Sequence, residues 1–324
     1  MDRLRQISVP IAPHMEEFNR RLKESLHTDT FLLDRVIRYI LKRKGKQMRP
    51  MFVFLSAMLN GGINDSAYHA ATFIELMHTA TLVHDDVVDG ADKRRGFFSV
   101  NALWKNKVAV LVGDYLLSRG LLLSLETREF EQLRIVSRAV KEMSEGELLQ
   151  IEKSRSLNIS EEVYFRIIRK KTASLIAACC AAGASAAGAT EEAVARMHDF
   201  GELVGMAFQI KDDLMDFDTE NRSGKPGGLD IKEQKISLPV IHLLSNSSLP
   251  ERRRILGLIR GHNNDPERIS RVMDKVRNSE GIAYAEKVML GFRDQSLDLL
   301  KSFPEGDARS SLGALVLFTT DRKH

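Results

Sequence analysis

The sequence predicts an all-α protein, a single large helical bundle spanning residues 1–324. Three observations carry that prediction. Apolar residues recur with helical spacing nearly everywhere, no run alternates with the period of a strand, and no Ser- or Pro-rich linker divides the chain. Hydrophobic residues make up 43% of the 324 positions, enough for a sizeable core, and 28% charged residues suits an ordinary surface. The central helices are apolar almost all round, as the buried members of a large bundle are.

The periodicity places helices at 11–27, 31–43, 48–60, 65–89, 107–126, 129–154 and 161–186 in the first part of the chain. The remainder reads as helices at 190–218, 237–245, 249–260, 266–278, 280–302 and 306–318. Gly61-Gly62 closes one of these helices, a serine at 160 opens another, and Thr190 is an N-cap ahead of Glu191-Glu192. One long irregular stretch remains, Asp218 to Lys235, rich in Gly, Lys and Asp. A loop of that size inside a compact domain is usually functional.

Composition narrows the function classes. A net charge of +4 without a Lys/Arg run interleaved with aromatics predicts no nucleic-acid partner. The most apolar stretch, Leu111 to Leu125, is interrupted by Asp114, Ser118 and Arg119, so no transmembrane segment is expected. The first residues lack an apolar signal core, which points to a cytoplasmic protein. Cys179 and Cys180 are adjacent; neighbours on a helix point about 100° apart and lack ordinary disulfide geometry. Both read as small core residues.

One acidic pattern occurs twice, as Asp85-Asp86-Val87-Val88-Asp89 and Asp212-Asp213-Leu214-Met215-Asp216, each at the end of an apolar helix. Residues i and i+4 share a helix face, so Asp85 points with Asp89 and Asp212 with Asp216. Stacked carboxylates repel unless a cation sits between them. Mg²⁺ takes one or two carboxylates plus substrate phosphates, so the pair of patterns points to a Mg²⁺-dependent site for a diphosphate. Basic residues surround both copies: Lys46 and Arg49 upstream, Arg94 and Arg95 after the first, and Lys171, Lys225 and Lys235 around the second. Guanidinium groups grip diphosphate oxygens in pairs. Lys42, Arg43 and Lys44 read as a solvated charge run.

The ordered set Gly45-Lys46-x-x-Arg49-Pro50, His78, Asp85 to Asp89, Arg94-Arg95-Gly96, Lys171-Thr172, Phe208-Gln209 to Asp216, Gly224-Lys225 and Lys235 resembles the trans-isoprenyl (polyprenyl) diphosphate synthases, over roughly residues 40–240. Two departures stand out. Lys44-Gly45-Lys46-Gln47 replaces Gly-Gly-Lys-Arg, and Gln234-Lys235-Ile236-Ser237 replaces Gly-Lys-x-Thr.

The resemblance implies an isoprenoid synthase bundle with a central cavity lined by the two Asp-rich helices, three Mg²⁺ ions per active site and a homodimer. It implies that Asp85, Asp89 and Asp212 bind Mg²⁺ directly, with Asp86, Asp213 and Asp216 completing the shell. Arg94, Lys171, Lys225 and Lys235 then hold the allylic diphosphate. Thr172 and Gln209 direct dipoles at the allylic cation, and Lys46, Arg49, His78 and Arg95 hold isopentenyl diphosphate. Members of this family set product length one turn before the first acidic pattern. Here Ala80 and Thr81 are small, with Met77, Ile74 and Phe73 further back. That implies a long product, about C30–C40, of the kind used for a quinone side chain, with transient membrane contact at release. The alternatives are a short-chain farnesyl or geranylgeranyl diphosphate synthase and a non-catalytic subunit of a heteromeric synthase.

Overall fold

Local punctuation sets several helix ends. The computed structural model describes residues 2–43, 45–94, 96–157, 159–218, 227–260 and 265–321. Within them, α1 (Asp2–Ser8), α2 (Ala12–Ser25), α3 (Phe31–Leu41), α4 (Met48–Leu59), α5 (Asp65–Val88) and α6 (Val100–Glu126) come first. They are followed by α7 (Phe130–Ser156), α8 (Glu161–Ile168), α9 (Ser174–Ala186), α10 (Glu191–Met215) and α11 (Leu229–Lys232). The chain finishes with α12 (Leu238–Ser245), α13 (Leu249–Ile259), α14 (Pro266–Arg277), α15 (Gly281–Leu300) and α16 (Asp307–Thr320). The side chains of Asn64, Ser99 and Ser160 accept the N–H groups of Ala67, Ala102 and Val163, so each caps a helix start. Thr190 does the same for Ala193 at 3.3 Å. Past α4, Gly62 adopts φ +122° and returns its N–H to the Ala57 carbonyl at 2.9 Å.

The differences from the sequence reading are local. Helix α1 precedes the first predicted helix. Helix α6 begins at Val100 rather than near 107, because a kink at Lys105 (φ +71°) joins a short leading segment to the long one. Lys93–Arg94 pairs antiparallel with Phe97–Phe98, a ladder of two residues per strand that is too short to leave an alternating pattern. One helical turn, α11, forms inside the predicted irregular stretch. Helix α6 is also long and apolar enough to cross a membrane, with a window of mean hydropathy 1.6 of which 33% is buried. A core helix meets the same test of length and composition, so this does not overturn the expectation of no transmembrane segment.

The chain divides into two compact units. The first comprises Met1–Arg138, Ala178–His198 and Pro304–Leu312. In it α5 packs against α4 and α6, around fully buried Phe18, Phe52, Phe54, Phe73 and Ile74. Cys179 and Cys180 are buried free thiols here, and burial raises both, Cys180 to about 12. Small residues let backbones meet: a Cβ on Gly183 would lie 2.2 Å from the Val53 carbonyl oxygen. The second unit comprises Ala139–Ala177, Asp199–Phe303 and Gly313–His324. Tyr164, Ile168, Met206, Ile210, Leu238 and Val272 belong to its core.

Candidate active site

Both acidic patterns fall at helix C-termini. In the first unit Asp85 and Asp86 lie in the last turn of α5 and Asp89 is its C-cap; in the second, Asp212 and Asp213 lie in the last turn of α10. Neither last turn contains a basic residue. Carboxylates there oppose the helix dipole, whose negative end favours cations. The register gives both patterns the same exposure: Asp85 and Asp212 are exposed, while Asp86 and Asp213 turn inward, at 5% and 8%. Each helix end thus presents an outward carboxylate backed by a buried one.

In the second unit the buried carboxylate is held by a chain of hydrogen bonds. The Tyr164 hydroxyl donates to Asp213 Oδ2 at 2.7 Å, and Gln209 Nε2 donates to Asp213 Oδ1 at 2.8 Å. Thr172 Oγ1 donates to Gln209 Oε1 at 2.7 Å. Burial pushes the Asp213 carboxyl above its ordinary range against the pull of Tyr164 and Gln209. Burial also raises Asp230, with help from the charges of Asp213 and Asp216. Asp216 fastens the loop: its carboxylate accepts the N–H groups of Leu229 (3.0 Å) and Asp230 (3.2 Å) and so caps α11.

Between α8 and α9, Arg169–Ala173 form one wide π turn, a local widening that recurs at functional sites. It directs Lys171 and Thr172 into a cavity of about 110 Å³, lined also by Gln209, Asp213, Asp230 and Lys235. The Lys171 ammonium meets Glu147 at 2.5 Å and Gln150 at 2.6 Å, both from α7. Lys235 lies 2.5 Å from Glu233; burial pulls its ammonium down, but Glu233 and Asp230 outweigh that and hold it above its usual value. An anion entering the cavity meets two ammonium groups already paired with carboxylates, so binding exchanges one partner for another.

The other predicted residues lie in the first unit or outside the described residues. Arg49 Nε and Nη2 each donate to Glu75 at 3.1 Å, in a half-buried fork on α5. Lys46 is exposed in the connector before α4, and His78 lies on α5 seven residues before Asp85. Arg94 is the second residue of the two-residue strand. Arg95 and Lys225 lie outside the described residues. Ala80 is fully buried and Met77 nearly so, while Thr81 donates its hydroxyl to the His78 carbonyl at 2.8 Å. Helix α6 packs against these residues: a Cβ on Gly120 would lie 3.0 Å from the Phe73 ring and 3.5 Å from Met77 Sδ.

The family model described as Polyprenyl synthetase matches residues 31–276. The chain belongs to the polyprenyl synthetase family. Its members are prenyltransferases that use a divalent metal for catalysis. This family member is 34% identical to the heptaprenyl diphosphate synthase component 2 of Bacillus subtilis, over 95% of this chain and 88% of that one. It is 31% identical to the octaprenyl diphosphate synthase of Escherichia coli, over 98% and 99%. A crystal structure of a decaprenyl diphosphate synthase from Rhodobacter capsulatus superposes with a TM-score of 0.92 at 31% identity, covering 99% of both chains. The fold is the all-α isoprenoid synthase fold.

Sequence reading of this polyprenyl synthetase missed Asp230 and Tyr164 as neighbours of its acidic and basic groups. Asp230 carried a signal, standing between Gly228 and Lys235 in the irregular loop. Tyr164 carried none, since its bond to Asp213 spans 49 residues. Gln234 stands in the left-handed region (φ +57°), where the family pattern has glycine. Among the described residues no three acidic or imidazole side chains converge on one point.

Proposed function

We propose that this protein condenses an allylic diphosphate with successive isopentenyl diphosphate units to make a long-chain all-trans polyprenyl diphosphate. The observation that carries the reading is the matched pair of helix C-termini, each ending in an exposed and a buried aspartate against the negative end of the helix dipole. Three Mg²⁺ ions are the expected complement. Asp85, Asp89 and Asp212 would bind them directly, with Asp86, Asp213 and Asp216 in support. When bound, Mg²⁺ neutralises the diphosphate and makes it a better leaving group.

The chain's own residues do the rest. Lys171 and Lys235, with Arg94 and Lys225, hold the allylic diphosphate while its C–O bond breaks and the electron pair leaves with oxygen. Thr172 and Gln209 present fixed dipoles toward the allylic cation, their orientation locked by the bonds to each other and to Asp213. Lys46, Arg49, His78 and Arg95 hold isopentenyl diphosphate so that its double bond forms the new C–C bond. The proton then lost passes to the released diphosphate, so no protein nucleophile is needed.

A long product, about C30–C40, is supported by buried Ala80 and by Gly120 beside Phe73 and Met77, since one isoprene unit is about as long as one helical turn. The octaprenyl and heptaprenyl relatives support that length, and a quinone side chain fits it. A homodimer is supported by α6, where Leu103, Val110, Leu111, Leu121, Leu122 and Leu125 are exposed. Purified protein given an allylic primer, labelled isopentenyl diphosphate and Mg²⁺ tests the reading by mass analysis of products. Long chains are expected; accumulation of farnesyl or geranylgeranyl diphosphate alone would favour the short-chain alternative, and no elongation would favour a subunit role.

A further inference from the structure

We infer that Arg43 is a positioning residue for isopentenyl diphosphate, clamping the two-stranded turn that carries Arg94 and Arg95 onto the end of α3. The inference rests on the proposed diphosphate pocket and extends it to residues outside every recognised motif. Far from being a solvated charge, Arg43 is half-buried. Its guanidinium carbon lies 3.5 Å from the centroid of the Tyr39 ring and 4.3 Å from that of Phe97. Arg43 Nη1 donates to the Phe98 carbonyl at 3.1 Å, and the Tyr39 hydroxyl donates to the same oxygen at 2.6 Å. Trp104 meets the Tyr39 ring edge-on, with centroids 4.9 Å apart at 81°.

A clamp is needed because the turn cannot order itself. Its ladder pairs only Lys93 with Phe98 and Arg94 with Phe97, and even complete isolated hairpins are marginal in water. Its base is closed by Ser99, whose N–H donates to the Asp92 carbonyl at 2.9 Å and whose hydroxyl donates to the Ala91 carbonyl. Phe97 and Phe98 remain 53% exposed, so burial of their rings is not what holds the tip. Among the described residues, Tyr39 of α3 and Arg43 just past its end both reach the turn.

Arginine suits this role in a way lysine does not. Its planar guanidinium can lie against two aromatic rings and still donate a directed hydrogen bond. Arg43 stands three residues before Lys46 in the connector from α3 to α4. One side chain therefore ties the segment bearing Lys46 to the turn bearing Arg94 and Arg95, and orders both before the substrate arrives.

The test compares R43A, R43K, F97A and R95A with the parent enzyme. R43A and F97A should raise the KM for isopentenyl diphosphate about tenfold, leaving kcat and the allylic KM within about twofold. R43K should behave as R43A does, because an ammonium group cannot stack. Trypsin should also cleave within Lys93 to Arg95 several-fold faster in R43A and F97A, a readout independent of substrate. F97A removes an exposed ring without changing charge, so it carries the test even if R43A folds poorly. Parent-like KM and cleavage rates in F97A would overturn the clamp, as would a KM effect confined to R43A. An unchanged KM in R95A would overturn the isopentenyl diphosphate pocket itself, an outcome distinguishable from failure of the clamp alone.

Discussion

Individual carboxyl groups couple this site to pH. Burial and like charge raise Asp213 to about 6 and Asp230 to about 7. A raised folded value means that the metal-free protein takes up these protons as pH falls through about 7 to 6, and a cation must displace them there. Mg²⁺ binding should therefore release protons between about pH 6 and 7 and release almost none at pH 8.5. Calorimetry in buffers of different ionisation enthalpy measures the release directly; proton-neutral binding at pH 6 would exclude it. A second residue-scale prediction concerns Ala80. Its Cβ is fully buried on α5 one turn before Asp85, so Ala80→Phe should block elongation and shorten products by several isoprene units, each about one helical turn. Unchanged chain length by mass spectrometry would refute the tunnel reading. The buried small residue was legible in the sequence. The pairing of Arg49 with Glu75 was not, because 26 residues separate the partners.

Among the elements, the π turn depends on the helix beside it. A Cβ on Gly146 of α7 would lie 2.8 Å from the Lys171 backbone nitrogen and 2.9 Å from Lys170 Cβ. Gly146→Ala should overpack that contact, at a cost of about 1–3 kcal/mol, and displace Lys171 from Glu147 and Gln150. Thermal denaturation should show the loss, and kcat should fall with it; parent-like stability would mean that the helices separate freely. Helix spans were the most legible part of the sequence, because caps such as Asn64, Ser160 and Thr190 act within three residues. The kink at Lys105 and the two-residue ladder were not, since neither leaves a periodic signal.

For the whole molecule, α6 presents its leucines to solvent in the single chain. Positions 110 and 121, and 111 and 122, are eleven residues apart and return to the same helix face. Covering that face with a second copy removes a large apolar surface from water. Leu111→Glu with Leu122→Glu should convert a species of twice 36.5 kDa into one of 36.5 kDa in light scattering. A single-chain mass for the unmodified protein would exclude the homodimer.

The sequence by itself determined the long helices, the family and the identity of the acidic and basic groups. Helical periodicity, capping and the ordered motif are all short-range patterns. Only the tertiary structure decided which carboxylate of each pair is buried and that Tyr164 and Gln209 hold Asp213. It alone placed Glu147 on Lys171 and made Arg43 a clamp rather than a solvated charge. Those contacts join residues tens of positions apart, and the physical quantities that matter there, burial and distance, come into being when the helices pack.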